Sequence, residues 1–195
     1  RHRIKELEKE KDKIFDKKFL ISTQSFYQVN SHQIETLYGK AIEFASLTKE
    51  DVLLDAYCGT GTIGLCCSDK VKEVVGVEIV KDAVSDAILN CKINNIKNAH
   101  FLCQDATKYM LTTDKHFDVI IMDPPRKGST KQFIDAVKRI SPKRVVYVSC
   151  DPVTLSRDLS FFTDCYEVKK VQPVDMFPNS MHVETIVLLQ RKTSQ

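Results

Sequence analysis

No stretch of this sequence approaches the roughly 18 consecutive apolar residues that a membrane-crossing helix requires, and it holds neither an internal repeat nor a low-complexity segment. A helical membrane protein is therefore a poor reading. The seven cysteines, at 58, 66, 67, 91, 103, 150 and 165, include no C-x-x-C pair, and several sit inside apolar runs. A disulfide framework and a zinc site are both disfavoured. With no secretory pattern at the start, the expectation is a reducing, cytoplasmic setting and no metal. Charge surplus is also missing from most of the chain. Residues 1–18 carry eight Lys/Arg against five Asp/Glu, whereas the remaining 177 carry 21 of each. Charge alone thus argues neither for nor against a nucleic-acid partner, and the basic run at 1–18 reads as a solvated helix or a frayed end.

The chain has 195 residues, 43% of them hydrophobic and 28% charged, enough for one well-buried core. From residue 52 onward, apolar strand-like runs alternate with amphipathic segments. Strands are expected at 52–55, 74–78, 99–103, 117–122, 144–149, 167–171 and 183–190. Helices are expected at 63–68, 81–95, 130–140 and 152–162, with a short one at 106–110, and a further helix follows Ser31. Such alternation implies an α/β fold with a mainly parallel sheet covered on both faces. No helix separates the last two strands, so they are expected to pair as an antiparallel C-terminal hairpin.

The organising stretch is Leu53 to Gly64 (LLDAYCGTGTIG), a strand that runs into a glycine-rich turn and then a helix. Gly59, Gly61 and Gly64 satisfy G-x-G-x-x-G, which suits close approach of the backbone to a nucleotide-like ligand. In parallel sheets the ligand lies beyond the carboxyl ends of the strands. Five successive strand ends here carry polar or reactive groups: Asp55 to Tyr57, Glu78, Asp105, Asp123 to Arg126, and Ser149 to Asp151. Glu78 suits the two hydroxyls of a ribose, which NAD and S-adenosyl-L-methionine share. Asp105 suits an adenine amino group or a helix N-cap equally well. The DPPRKG run at 123–128 is stiffened by its two prolines. Cys150 stands just ahead of an expected helix start, a position that favours a thiolate.

These motifs resemble the RNA uracil-5-methyltransferases. DPPRKG at 123–128 followed by YVSCDPVT at 147–154 is similar to that family's signature. VDMFPNSMHVE at 174–184 resembles its second signature, with Asn179 where Gln or His is more usual, and FYQVN at 26–30 its entry motif. The resemblance runs from about Phe19 to Arg191. It implies a Rossmann-like class I methyltransferase fold, a seven-stranded sheet and S-adenosyl-L-methionine as cofactor. It also implies Cys150 as nucleophile and Glu184 as base. Cofactor contacts carry over to Gln28, Tyr57, Gly59, Gly61, Thr62, Glu78, Asp105 and Asp123. Arg126 and Lys127 are natural partners for RNA phosphates.

The expected substrate is a uridine in RNA, of the 23S ribosomal type, with transfer RNA as the alternative. A NAD-dependent oxidoreductase would use the same glycine loop and Glu78 but leaves the Cys150 and Glu184 motifs without a role. A non-catalytic binding module leaves both reactive positions unexplained. Residues 1–18 are expected to end an upstream region, with 19–195 forming the catalytic domain and the chain assumed monomeric.

Overall fold

The computed structural model describes residues 10–21, 31–176 and 183–193. The first element is a two-stranded antiparallel hairpin, β1 (Glu10–Ile14) and β2 (Lys17–Ile21). Neither a solvated helix nor a frayed end occupies residues 10–18. Ile14 and Phe19 are fully buried and join the main core, while the charged residues around them supply the outer face. The expected boundary between residues 18 and 19 falls inside β2.

The remaining elements are α1 (Ser31–Ala45), β3 (Val52–Ala56), α2 (Thr62–Cys67), β4 (Glu73–Glu78), α3 (Lys81–Ile93), β5 (Ala99–Cys103) and α4 (Ala106–Thr112). They continue with β6 (Val119–Met122), α5 (Lys131–Ile140), β7 (Arg144–Ser149), α6 (Pro152–Ser160), β8 (Tyr166–Val174) and β9 (Glu184–Arg191). β3 to β9 form one sheet in the order β5-β4-β3-β6-β7-β9-β8. The first five strands in that order are parallel, and β9 runs antiparallel to both β7 and β8. The expected C-terminal hairpin is present, with β9 inserted between β7 and β8.

Successive strand residues face opposite sides, and the core divides accordingly. Leu53, Val74, Ile121, Val146 and Val148 pack with α1, α2 and the hairpin. Leu54, Val75, Ile120, Val145 and Tyr147 pack with α4, α5 and α6. Each fully buried Leu, Ile or Phe contributes about 1.5–3 kcal/mol through removal from water, so these two layers hold the sheet. Among the described residues no helix is long and apolar enough to cross a membrane.

The hairpin is fastened by hydrogen bonds that replace a third strand. At the C-cap of α3, Asn94 accepts the Lys18 N–H at 2.9 Å and donates to the Lys18 carbonyl at 2.7 Å. One turn earlier, Asn90 accepts the Leu20 N–H at 2.8 Å and donates to the Leu20 carbonyl at 3.3 Å. Spaced i, i+4, the two amides lie on one helix face and meet alternate residues of β2.

Strand order reverses where β3 lies between β4 and β6, the kind of switch point beyond whose carboxyl ends open α/β sheets bind ligands in a crevice. The glycine loop, Glu78 and the DPPRKG loop all leave the sheet at that point.

Candidate active site

The loop after β3 is held from below. Asp55 is 1% exposed and accepts the Gly64 N–H through Oδ2 at 2.8 Å. Burial pushes its carboxyl up to about 7, against the pull of that N–H, and Glu78 adds to the rise. A donor at the start of α2 is thus committed inside the protein and does not face a ligand. Gly61 adopts φ +77°, and a Cβ there would lie 2.6 Å from the Phe101 ring. Only glycine combines that left-handed backbone with that closeness. Gly59 (φ +52°) faces open space, with nothing within 4 Å of a hypothetical Cβ.

Glu78 ends β4 with both carboxylate oxygens on backbone donors, Gly59 N–H at 3.0 Å and Val80 N–H at 2.9 Å. Each oxygen retains a further lone pair for a ligand hydroxyl. Beside it, Ile79 is an apolar side chain 64% exposed. Tyr57 has a positive φ of 62°, packs its ring on Phe133 at 5.4 Å and meets the Ser129 hydroxyl at 3.2 Å. Thr62 is buried, its hydroxyl 3.1 Å from that of Thr60 and so engaged within the loop. Asp105 caps α4 by accepting the Lys108 N–H at 2.9 Å. Gln28 and the FYQVN motif, like residues 177–182 of the second signature, lie outside the described residues.

The reactive groups gather one strand over. The last β7–β9 pair is Ser149 with Thr185, so Cys150 and Glu184 stand opposite each other one step further on. Directly opposed residues of an antiparallel pair project to the same face. Asp123 follows β6, the other neighbour of β7. All three side chains hold their protons more tightly than usual. For Cys150 the causes are burial, then the charges of Glu184 and Asp123; for Glu184 it is burial. For Asp123, burial leads, followed by the charges of Glu184 and Asp55, and its carboxyl is pushed up to about 8.

Arg126 opposes the first two of these shifts. A hydrogen bond from it favours the Cys150 thiolate, and its charge favours the ionised forms of Cys150, Glu184 and Asp151. The expectation that the helix start after Cys150 favours its thiolate needs correction, since the thiol is shifted upward. Asp151 caps α6 by accepting the N–H groups of Val153 at 3.0 Å and Thr154 at 2.8 Å, so a carboxylate already occupies that positive end. The cation serving the thiol is Arg126, which sequence reasoning had assigned to RNA phosphates. Its place in DPPRKG, beside a motif already picked out for the pocket, was the available signal.

One consequence is measurable. The carboxyl of Asp123 rises from 3.8 to about 8 on folding, so between those values the native chain holds a proton that the unfolded chain has released. Its contribution to stability is full below about pH 4 and is lost as pH rises through the folded value. Asp123→Asn removes that dependence. The melting temperature of the variant relative to the parent should therefore rise between pH 5 and pH 8. A constant difference across that range would show that Asp123 is ionised in the native state.

The sheet order, with an antiparallel strand inserted next to the last, departs from the all-parallel 3-2-1-4-5-6 order of dinucleotide-binding dehydrogenases. With the glycine loop and acidic strand ends in this arrangement, the fold is a Rossmann-like class I methyltransferase.

Comparison with known proteins narrows the class. A family model described as tRNA (Uracil-5-)-methyltransferase matches residues 4–116 and 106–192, and the chain belongs to that family. It is 46% identical over 188 residues to an uncharacterized RNA methyltransferase of Enterococcus faecalis, covering 94% of this chain and 41% of the relative. It is 48% identical over 187 residues to one of Clostridium tetani, covering 92% and 41%. Among solved structures, the tRNA (uracil-54, C5)-methyltransferase of Pyrococcus abyssi, in complex with S-adenosyl-L-homocysteine, superposes with a TM-score of 0.82 at 33% identity. That match covers 93% of this chain and 44% of the other. The tRNA m1G37 methyltransferase of M. jannaschii, at 15% identity and a TM-score of 0.76, shares the fold. The chain thus spans about two-fifths of the length of the curated relatives it matches. The expected 23S ribosomal type is corrected by these findings, since the family description and the P. abyssi enzyme both name tRNA.

Proposed function

We propose that this chain is the catalytic part of an enzyme that methylates C5 of a uridine in tRNA, using S-adenosyl-L-methionine. The observation that carries this reading is that Cys150 and Glu184 directly follow the last β7–β9 pair, with the Glu184 charge and Arg126 both acting on the thiol. The tRNA substrate is favoured by the family description and by the P. abyssi relative.

The crevice suits the cofactor chemically. Glu78 offers acceptors for ribose hydroxyls, exposed Ile79 an apolar surface for a base, and the open face over Gly59 lets a ligand approach the backbone. Tyr57, Gly61, Thr62, Asp105, Asp123 and Gln28 complete the set carried over from the family's motifs. Bound there, S-adenosyl-L-methionine supplies an electrophilic methyl group on a sulfonium.

The protein's own task is to make C5 nucleophilic. Uracil C5 is too electron-poor to attack a methyl group unaided. Cys150, losing its proton under the influence of Arg126, adds as thiolate to C6. The C5=C6 electron pair moves toward O4 to give an enolate, which is nucleophilic at C5. After methylation, C5 carries both a methyl group and its original hydrogen. Glu184 removes that proton, the electron pair re-forms C5=C6, and the Cys150–C6 bond breaks to return the thiolate. Burial gives Glu184 a proton affinity above that of an exposed carboxylate, which suits it as the base.

The test is incubation of the chain with methyl-labelled S-adenosyl-L-methionine and separated RNA fractions, followed by nucleoside analysis. Label should appear as 5-methyluridine in tRNA. Label confined to ribosomal RNA, or at another atom, would overturn the reading.

A further inference from the structure

Three polar residues on one face of α6 are spent on the backbone of the DPPRKG loop. Thr154, Arg157 and Asp158 are spaced i, i+3 and i+4, so they project together. The Thr154 hydroxyl donates to the Arg126 carbonyl at 3.1 Å. Arg157 Nη2 donates to the Lys127 carbonyl at 2.9 Å and to the Ser129 carbonyl at 3.4 Å. Asp158, fully buried, accepts the Ser129 N–H at 2.7 Å and the Tyr147 hydroxyl at 2.7 Å through one oxygen. Its other oxygen takes Nε and Nη2 of Arg157 at 2.9 and 2.7 Å.

The loop is shaped to receive them. Gly128 turns at φ +78°, with its N–H on the Pro125 carbonyl at 2.8 Å. A Cβ on Gly128 would lie 2.6 Å from both Arg157 Nη2 and Asp158 Oδ2. Ser129 extends the connection to the cofactor side, since its hydroxyl meets that of Tyr57 at 3.2 Å. The same helix begins at the Asp151 cap next to Cys150, and β7, which carries Tyr147, ends one residue before Cys150.

We propose that Thr154, Arg157 and Asp158 are positioning residues that fix the DPPRKG loop against the Cys150 helix and so hold the Arg126 side chain at the thiol. The inference deepens the proposed reaction by assigning what places the cation that serves its nucleophile. Four hydrogen bonds onto the backbone of Arg126, Lys127 and Ser129 leave the loop little freedom to shift relative to α6. Buried Asp158 has every neighbour it needs: two neutral donors and one guanidinium fork. The group acts through Arg126 and touches no substrate.

The test reads the thiol directly. The rate of Cys150 alkylation by iodoacetamide is followed against pH at the peptide level by mass spectrometry, for the parent and for Thr154→Val, Arg157→Ala and Arg126→Ala. The charged groups acting on the thiol in this measurement are Arg126, Glu184 and Asp123. Arg126→Ala should lower the alkylation rate near neutral pH roughly three- to tenfold, as thiolate is lost. Thr154→Val and Arg157→Ala should each reproduce at least half of that change on a logarithmic scale. Far-ultraviolet circular dichroism and S-adenosyl-L-methionine affinity should stay as in the parent. Arg157→Ala strands one oxygen of buried Asp158, so Thr154→Val is the milder variant, and Arg157→Lys should restore part of the rate and of the fold's stability. An unchanged titration in Thr154→Val and Arg157→Ala, or in Arg126→Ala itself, would overturn the proposal. So would a loss of cofactor affinity equal to the loss of thiol reactivity, which marks general loosening. Failure to methylate tRNA would instead strike the proposed reaction and leave the thiol measurement standing.

Discussion

Cys150→Ala should abolish methyl transfer, lowering the rate by about ten-thousandfold or more, while S-adenosyl-L-methionine binds as before. A loss of that size follows if the cysteine forms a covalent bond with the substrate and does more than pack in the core, because no other group can supply the electron pair at C6. The other cysteines offer no substitute: Cys91 is buried in α3, and Cys165 stands just before the start of β8, at the end of the sheet opposite Cys150. Cys58 lies under the glycine loop with its thiol pushed well up by burial, and Cys66 and Cys67 are buried in α2. Cys103 is exposed but ends β5, at the far edge of the sheet from β7. The groups proposed to hold the cofactor, Glu78 and the loop from Tyr57 to Gly61, leave the sheet from β4 and β3, away from Cys150 after β7. Labelled-methyl transfer and calorimetry of cofactor binding on the same preparation separate the two properties. Full turnover by the alanine variant would end the nucleophile assignment.

Glu184→Gln should stop the reaction after the methyl group has moved. A band of protein joined to RNA should then accumulate on a denaturing gel. The substitution keeps the side chain's size, and Glu184 holds its place at the start of β9 through strand pairing with Val174 of β8. What is lost is a group that can take a proton. Without it the C5 hydrogen stays, the electron pair for C5=C6 is not released, and the Cys150–C6 bond cannot break. One methyl group per protein molecule is the expected yield, against many for the parent. Normal release of methylated RNA with no retarded band would remove Glu184 from the role of base. Taken together the two variants are diagnostic, since Cys150→Ala shows no adduct and Glu184→Gln shows a persistent one.

The positions of these groups were legible in the sequence because parallel sheets present their carboxyl ends together. Each strand there ended in a residue with chemistry of its own, such as Asp123 after an apolar run. The direction in which loop groups point was not legible. The Gly64 N–H binds Asp55 inside the protein, and Thr62 is engaged with Thr60. Either could equally have faced a ligand on spacing alone. Arg126 is the clearest case. Its neighbours in sequence are a proline and a lysine, which suggests a solvated surface cation. Its carbonyl is nonetheless held by Thr154, 28 residues further on. The hairpin was misread for a similar reason. Its strands hold mostly charged residues, and the partner for its open edge is a pair of asparagines 70 and 76 residues away.

That pairing has a practical bearing on where the chain can be cut. Asn90 is fully buried, and besides β2 its amide also reaches the Thr60 carbonyl, at 3.4 Å, inside the glycine loop. Excision at residue 19, the boundary that composition suggests, would remove β1 and cut into β2. It would expose part of the core around Ile34 and Leu37 and weaken the hold on the Asn90 amide from one side. A minimal version for crystallisation or binding work therefore has to begin upstream of Glu10, however dispensable its lysine-rich opening looks.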